Sequence, residues 1–215
     1  MLSPRIRRLK LDYDQMAQKF AGWPLIQITG TAGMPPEVYR FAYNIKGLFV
    51  ASNGEIQERA QHHLEVNLSL GYPRRAPQCR MLTPVFHPNF DDSTVCIGDF
   101  WAASEGLDDL IIRIGRMIAY QEYNTKSPLN GLAAKWAEQH AQFFPVDARD
   151  IAPPLEKVAP AGETSPVAAA SIEETVRNAT IADSITPAAA SDAPRTADAN
   201  PAADPEPWTE RISIE

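Results

Sequence analysis

Cysteine is scarce in this chain: Cys79 and Cys96 are the only two in 215 residues, and neither stands in a CxxC pair. The four histidines, His62, His63, His87 and His140, lack HxxxH spacing, so no zinc site is expected. Both thiols are expected to be free in a reducing compartment. No apolar run reaches membrane length, and the basic start (Arg5, Arg7, Arg8, Lys10) runs straight into Asp12 and Asp14. Neither a signal peptide nor a membrane span is expected, which points to a cytoplasmic protein. GxxxxGKS and GxxxxGKT are absent, so the chain is not expected to bind ATP itself, and no cofactor is expected.

Aromatic residues are missing from most of the last third. From Asp147 onward there are 17 alanines and 9 prolines in 69 residues, with no aromatic before Trp208. Such a stretch cannot offset its ordering entropy by burial, so residues 1–146 are read as one domain and 147–215 as a disordered, Ala/Pro-rich acidic tail. The tail holds 13 acidic and 5 basic residues, which accounts for the low pI of 5.2 and leaves the rest nearly neutral. A neutral body gives no reason to expect nucleic acid as a ligand. Within the tail, Ser171 and Glu174 form a capping box ahead of Val176, and Ile212 alternates with Ile214 at the very end. Either segment is a candidate to fold on a partner.

The first 146 residues alternate between two periodicities. Ser3-Pro4 is a helix start, and Ile6, Leu9, Tyr13, Met16, Ala17 and Phe20 recur at helical spacing, with Arg5, Arg8 and Lys10 on the other face. Leu25 to Ile28, Val38 to Ile45 and Leu64 to Leu70 alternate at period two, and Gln78 to Thr83 makes a fourth strand bounded by prolines. Between the second and third lies a long stretch with an Asn53-Gly54 turn signal, expected to form a protruding loop or an extra hairpin. Leu107, Leu110, Ile111, Ile114, Met117 and Ile118 define a strongly apolar helix with Asp108 and Asp109 near its start. A last helix begins near Leu129 and is expected to turn Leu132, Ala133, Trp136, His140 and Phe143 inward. The expected class is α+β: an N-terminal helix, a four-stranded antiparallel meander, an active-site loop and two C-terminal helices, followed by the tail.

One ordered set of motifs carries more than periodicity. Tyr72-Pro73 is followed by His87-Pro88-Asn89, then by Cys96 in a polar loop, Trp101, a helix, and Ser127-Pro128-Leu129-Asn130. This order resembles the ubiquitin-conjugating enzymes, and the CIGDFW and YNTKSPLN stretches look like their bacterial branch. The resemblance implies that Cys96 carries a ubiquitin-like protein as a thioester received from an ATP-dependent activating enzyme and passes it to an amine of a protein substrate. A thiolate suits that task because it is a strong nucleophile whose thioester stays reactive toward amines. The resemblance also implies roles for other residues. Asn89 would donate to the oxyanion, His87 and Pro88 would hold the loop, and Ser127 would stand on the gate loop at the mouth of the site. By nearness in sequence to Cys96, and not by the resemblance, Asp91, Asp92 and above all Asp99 are candidate acids for the incoming lysine. Arg5, Arg8 and Lys10 would face the activating enzyme.

Two departures bear on partners. Arg74 stands where the family offers an aromatic to RING ligases, and Trp101-Ala102-Ala103-Ser104 replaces the family's Trp-Ser-Pro-Ala loop, which argues against conventional RING partnership. A non-catalytic adaptor of the same fold is the alternative function; such modules lack the cysteine that this chain keeps. A cysteine hydrolase is a third reading, without a histidine base placed by any local motif.

Overall fold

The computed structural model describes residues 2–98 apart from 93, and residues 101–154. Helix α1 spans Pro4–Lys19, and its start is set by Ser3, whose Oγ accepts the Ile6 N–H at 3.2 Å beside the proline of the first turn. Leu9, Met16 and Phe20 are buried along it. Tyr13 and Ala17, expected on the same stripe, are exposed, and the stripe instead contains Asp12, only 1% exposed. Its carboxylate accepts from Arg8 Nε at 2.9 Å to each oxygen and from the Tyr72 hydroxyl at 2.6 Å, so its burial is compensated.

Four strands follow as an antiparallel sheet: β1 (Ile26–Gly33), β2 (Pro36–Tyr43), β5 (His62–Asn67) and β6 (Gln78–Met81), in the order β1-β2-β5-β6. Period-two alternation puts Tyr39, Phe41, Tyr43, Leu64, Val66 and Cys79 on one buried face. Helix α2 (Leu107–Ile118) joins that core with Leu107, Leu110, Ile111, Ile114 and Ile118. The opposite face carries Arg40, Glu65 and Arg80 on three adjacent strands, with both arginines 3.0 Å from the glutamate. Between β2 and β5 the chain forms a separate hairpin, β3 (Gly47–Val50) and β4 (Ile56–Arg59). Gly47 allows its approach, because a Cβ there would lie 2.8 Å from both His62 Nε2 and the Ile118 side chain.

Two buried tyrosines on β2 make a matched pair. Tyr43 donates to the Ile111 carbonyl at 2.9 Å, whereas the Tyr39 hydroxyl has no partner among the described residues. An orphaned buried hydroxyl costs free energy that phenylalanine would not incur, so Tyr39→Phe is expected to be neutral or stabilising by about 1 kcal/mol, and Tyr43→Phe destabilising by a similar amount. Urea denaturation of the two variants checks this; a clear loss of stability in Tyr39→Phe would mean that its hydroxyl is satisfied.

Three sequence-based boundaries shift. Leu70, expected inward by alternation, is 87% exposed, because β5 ends at Asn67 and the chain turns through Tyr72 N–H to Ser69 C=O. Helix α3 spans Gly131–Gln139 rather than starting near Leu129, since Asn130 Oδ1 accepts the Ala133 N–H as its N-cap. That cap rotates Leu132 outward, to 62% exposure, while Ala133 and Trp136 stay buried. The packed body also runs past residue 146. Asp147 accepts from the Lys46 N–H at 2.9 Å, and Ile151 is fully buried with its carbonyl accepting from Trp23 Nε1. The rest of the expected tail, from 155 on, lies outside the described residues, as do both of its candidate docking segments. Among the described residues no helix is long and apolar enough to cross a membrane, and no group of His, Cys, Asp and Glu could hold a metal ion.

Candidate active site

Helix α2 ends in a reversal that builds one wall of the site. Tyr120 adopts φ 56, an unusual conformation for a residue with a side chain, with a cost of about 1 kcal/mol or more. Its surroundings hold it there: the hydroxyl donates to the Phe86 carbonyl at 2.7 Å, and the ring lies 4.4 Å from Phe144 and 4.6 Å from His87. The turn carries Glu122, Tyr123 and Asn124 back toward the loop that holds Asn89.

Each residue of His87-Pro88-Asn89 is tied to this returning segment. Among the two ring nitrogens of His87, Nδ1 accepts the Asn89 N–H at 3.0 Å, which leaves Nε2 to donate to the Glu122 carbonyl at 3.2 Å. Burial holds its pKa down at about 3, so the ring is neutral and both nitrogens are engaged. The Pro88 carbonyl accepts from the Leu129 and Asn130 N–H groups at 2.8 and 3.0 Å. Asn89 Oδ1 accepts the Asn124 N–H at 2.9 Å. A backbone N–H can only donate, so this contact orients the Asn89 amide and leaves Nδ2 as a donor on its other side.

Cys96 is joined to the same frame by its N–H, which donates to the Asn89 carbonyl at 2.8 Å. Its side chain is partly exposed and lines a cleft of about 170 Å³ with Asn89, Gly98, Arg113, Met117, Glu122, Tyr123, Asn124 and Ser127. Cys79 lies elsewhere: it is in β6 and buried, and that burial pushes its thiol up to about 12. Gly98, at φ 98, lets the Arg113 guanidinium come within 3.1 Å of where a Cβ would stand. Glu122 is the carboxylate lining the cleft among the described residues, 3.6 Å from Arg113 and 3.7 Å from Arg116.

The sequence-based candidates separate accordingly. Cys96, Asn89 and Ser127 share the cleft, and His87 and Pro88 are buried behind it. Asp91 and Asp92 line a different groove, and Asp99 lies outside the described residues. Arg5 and Arg8 do not form a solvated face. Arg5 pairs with Glu37 at 2.8 Å and donates to the Leu68 and Ser69 carbonyls; Arg8 holds Asp12 and donates to the Ala103 and Glu105 carbonyls. Lys10 is exposed, together with Arg7. Sequence reasoning missed Arg113 and Glu122. The one signal for Arg113 is a charge interrupting the apolar run of α2.

Residues 32–151, more than half of the chain, match the sequence profile of the family described as ubiquitin-conjugating enzyme. The chain belongs to the ubiquitin-conjugating enzyme family. Among solved structures it is similar to S. cerevisiae Ubc12, at 23% identity and a TM-score of 0.48, over 65% of this chain and 74% of that one. Arg74 is exposed, and Trp101 packs against the core, its Nε1 donating to the Pro73 carbonyl at 2.7 Å.

Proposed function

We propose that this ubiquitin-conjugating family member accepts the C-terminal carboxyl group of a ubiquitin-like protein as a thioester on Cys96 and transfers it to an amine, a lysine of a protein substrate. The Cys96 thiolate attacks the thioester carbonyl presented by an ATP-dependent activating enzyme, forming a new C–S bond and releasing that enzyme's thiol. The acceptor amine then attacks, the Cys96 thiolate leaves, and the amine's proton passes to solvent or to the leaving thiolate. Asn89 Nδ2 faces the oxygen that becomes negative between these events. Glu122, which lines the cleft, takes the part of nearby acid for the incoming lysine, Asp91 and Asp92 lining a different groove, and Ser127 stands at the mouth. Asp99 keeps the supporting part that its nearness in sequence to Cys96 suggests. On α1 the surface offered to the activating enzyme is that of Lys10 and Arg7, with Arg5 and Arg8 shaping the helix position behind it. The pathway is of the small bacterial kind, cytoplasmic, with no conventional RING ligase because Arg74 removes the apolar anchor.

The observation that most supports this reading is the Asn89 amide, fixed by Asn124 with its donor left over beside an accessible thiol. Asn89→Ala is expected to let the thioester form and to slow its discharge to lysine by about a hundredfold. Asn89→Asp serves as the control, since it keeps the acceptor for the Asn124 N–H and removes the donor. It is expected to be as slow as Asn89→Ala in single-turnover discharge. A wild-type rate in Asn89→Asp would make Asn89 a loop brace and not an oxyanion donor.

A further inference from the structure

A second concavity backs onto the Cys96 cleft. It measures about 420 Å³ and is lined by Val50, residues 81–86, Phe90, Asp91, Asp92 and Asn130. The two sites share a wall: Asn89 faces one and Phe90 the other, and Ser127 and Asn130 are likewise divided. Phe90 and Val95 pair in an antiparallel bridge, and Asp91 and Asp92, although close to Cys96 in sequence, line this second concavity and not the Cys96 cleft. The outer wall comes from the inserted hairpin. Val50 belongs to β3, and the hairpin is pinned in place by the Phe86 N–H donating to the Leu48 carbonyl at 2.7 Å.

The lining is apolar below and acidic at the rim. Val50 is 39% and Leu82 44% exposed, with Met81 and Val85 partly exposed beside them. Asp91 and Asp92 are both exposed, and among the described residues lining the groove none carries a positive charge. An occupant therefore needs apolar side chains and positive charge. The chain's own tail fits badly, since residues 147–215 carry 13 acidic and only 5 basic side chains. An extended peptide advances about 3.3 Å per residue, so a segment lying in the groove can deliver a lysine to the far side of its wall within a few residues.

We infer that this groove binds the acceptor protein through a segment in which apolar and basic residues flank the target lysine. That the bound protein is the acceptor rests on Cys96 as the thioester carrier; the binding itself does not. The apolar floor supplies area, and the acidic rim selects the charge and draws in the cationic lysine. The hairpin and the Asp91-Asp92 turn make acceptor choice a property of this chain, consistent with loops that have lost the family's apolar RING anchor.

The test uses the full-length uncharged chain and two fluorescent peptides with the same central lysine and flanking leucines, one bearing two arginines and the other two glutamates. Anisotropy is expected to show binding of the arginine peptide at least about tenfold tighter than its twin. Asp92→Lys is expected to reverse that order and Leu82→Asp to weaken both. Equal binding of the two peptides, an order that Asp92→Lys leaves unmoved, or tighter binding of a peptide spanning residues 205–215 would each overturn the inference. Charging is read separately on a non-reducing gel. A chain that binds the arginine peptide but takes no modifier on Cys96 would overturn the thioester reading and not the groove.

Discussion

Asp12→Ala is expected to destabilise the protein by about 3 kcal/mol or more, because removing one partner strands the other half of a buried ion pair. Arg8 would keep its bonds to the Ala103 and Glu105 carbonyls but lose both carboxylate contacts, and the Tyr72 hydroxyl would lose its 2.6 Å acceptor. The loss matters beyond α1, since this one network joins the first helix to the Tyr72-Pro73 turn and to the 101–106 loop that follows Cys96. Burial first, and then the Asp12 carboxylate, push the Tyr72 hydroxyl well above its ordinary pKa, so it acts as a donor at any working pH. Tyr72→Phe removes one hydrogen bond and keeps the charges paired, so its cost should be smaller, about 1 kcal/mol. Urea denaturation of both variants decides. Equal and small losses would mean that Asp12 is solvated.

Stability is expected to fall steeply between pH 7 and pH 5, before most carboxylates titrate. Burial holds His62 at about 4 and His87 at about 3, both below the unfolded value near 6.5. In that window the unfolded chain binds protons that the folded chain refuses, so stability is full above pH 6.5 and declines as the pH drops toward the folded values. At pH 5 each histidine is expected to cost roughly 2 kcal/mol. The carboxylates held low by ion pairs, Glu37 by Arg5 and Glu65 by Arg40 and Arg80, contribute stability that is lost only at more acid pH, as they protonate. His62 is the better probe of the two. Its Nδ1 has no partner among the described residues, and Nε2 donates to the Arg59 carbonyl at 3.0 Å, a bond that glutamine can imitate. His62→Gln should remove about half of the slope. A stability curve flat from pH 7 to pH 5 in the wild type would contradict the burial of both rings.

The strands were legible because alternation is a local signal: Tyr39, Phe41 and Tyr43 on β2 and Leu64 and Val66 on β5 all face the core. So was α2, whose apolar stripe is dense enough to leave no choice of face. The motif order likewise led to Cys96, Asn89 and Ser127, which line one cleft. What escaped depended on distant partners. Asp12 reads as a solvated helix residue until Tyr72 arrives from 60 positions away. Glu122 reaches the cleft only because Tyr120 takes a conformation that nothing in its residue type announces. Asp91 and Asp92 line the neighbouring concavity and not the Cys96 cleft, a division that their nearness in sequence to Cys96 does not announce.

The central claim is that Cys96 carries the modifier, and a charging reaction tests it most directly. The full-length protein is incubated with ATP and with the activating enzyme and ubiquitin-like protein of its own pathway, then run without reducing agent. The account predicts an adduct that thiol removes, that Cys96→Ala abolishes and that Cys79→Ser retains. An activating enzyme that charges itself but never passes the modifier to this chain would contradict it and leave a non-catalytic member of the family.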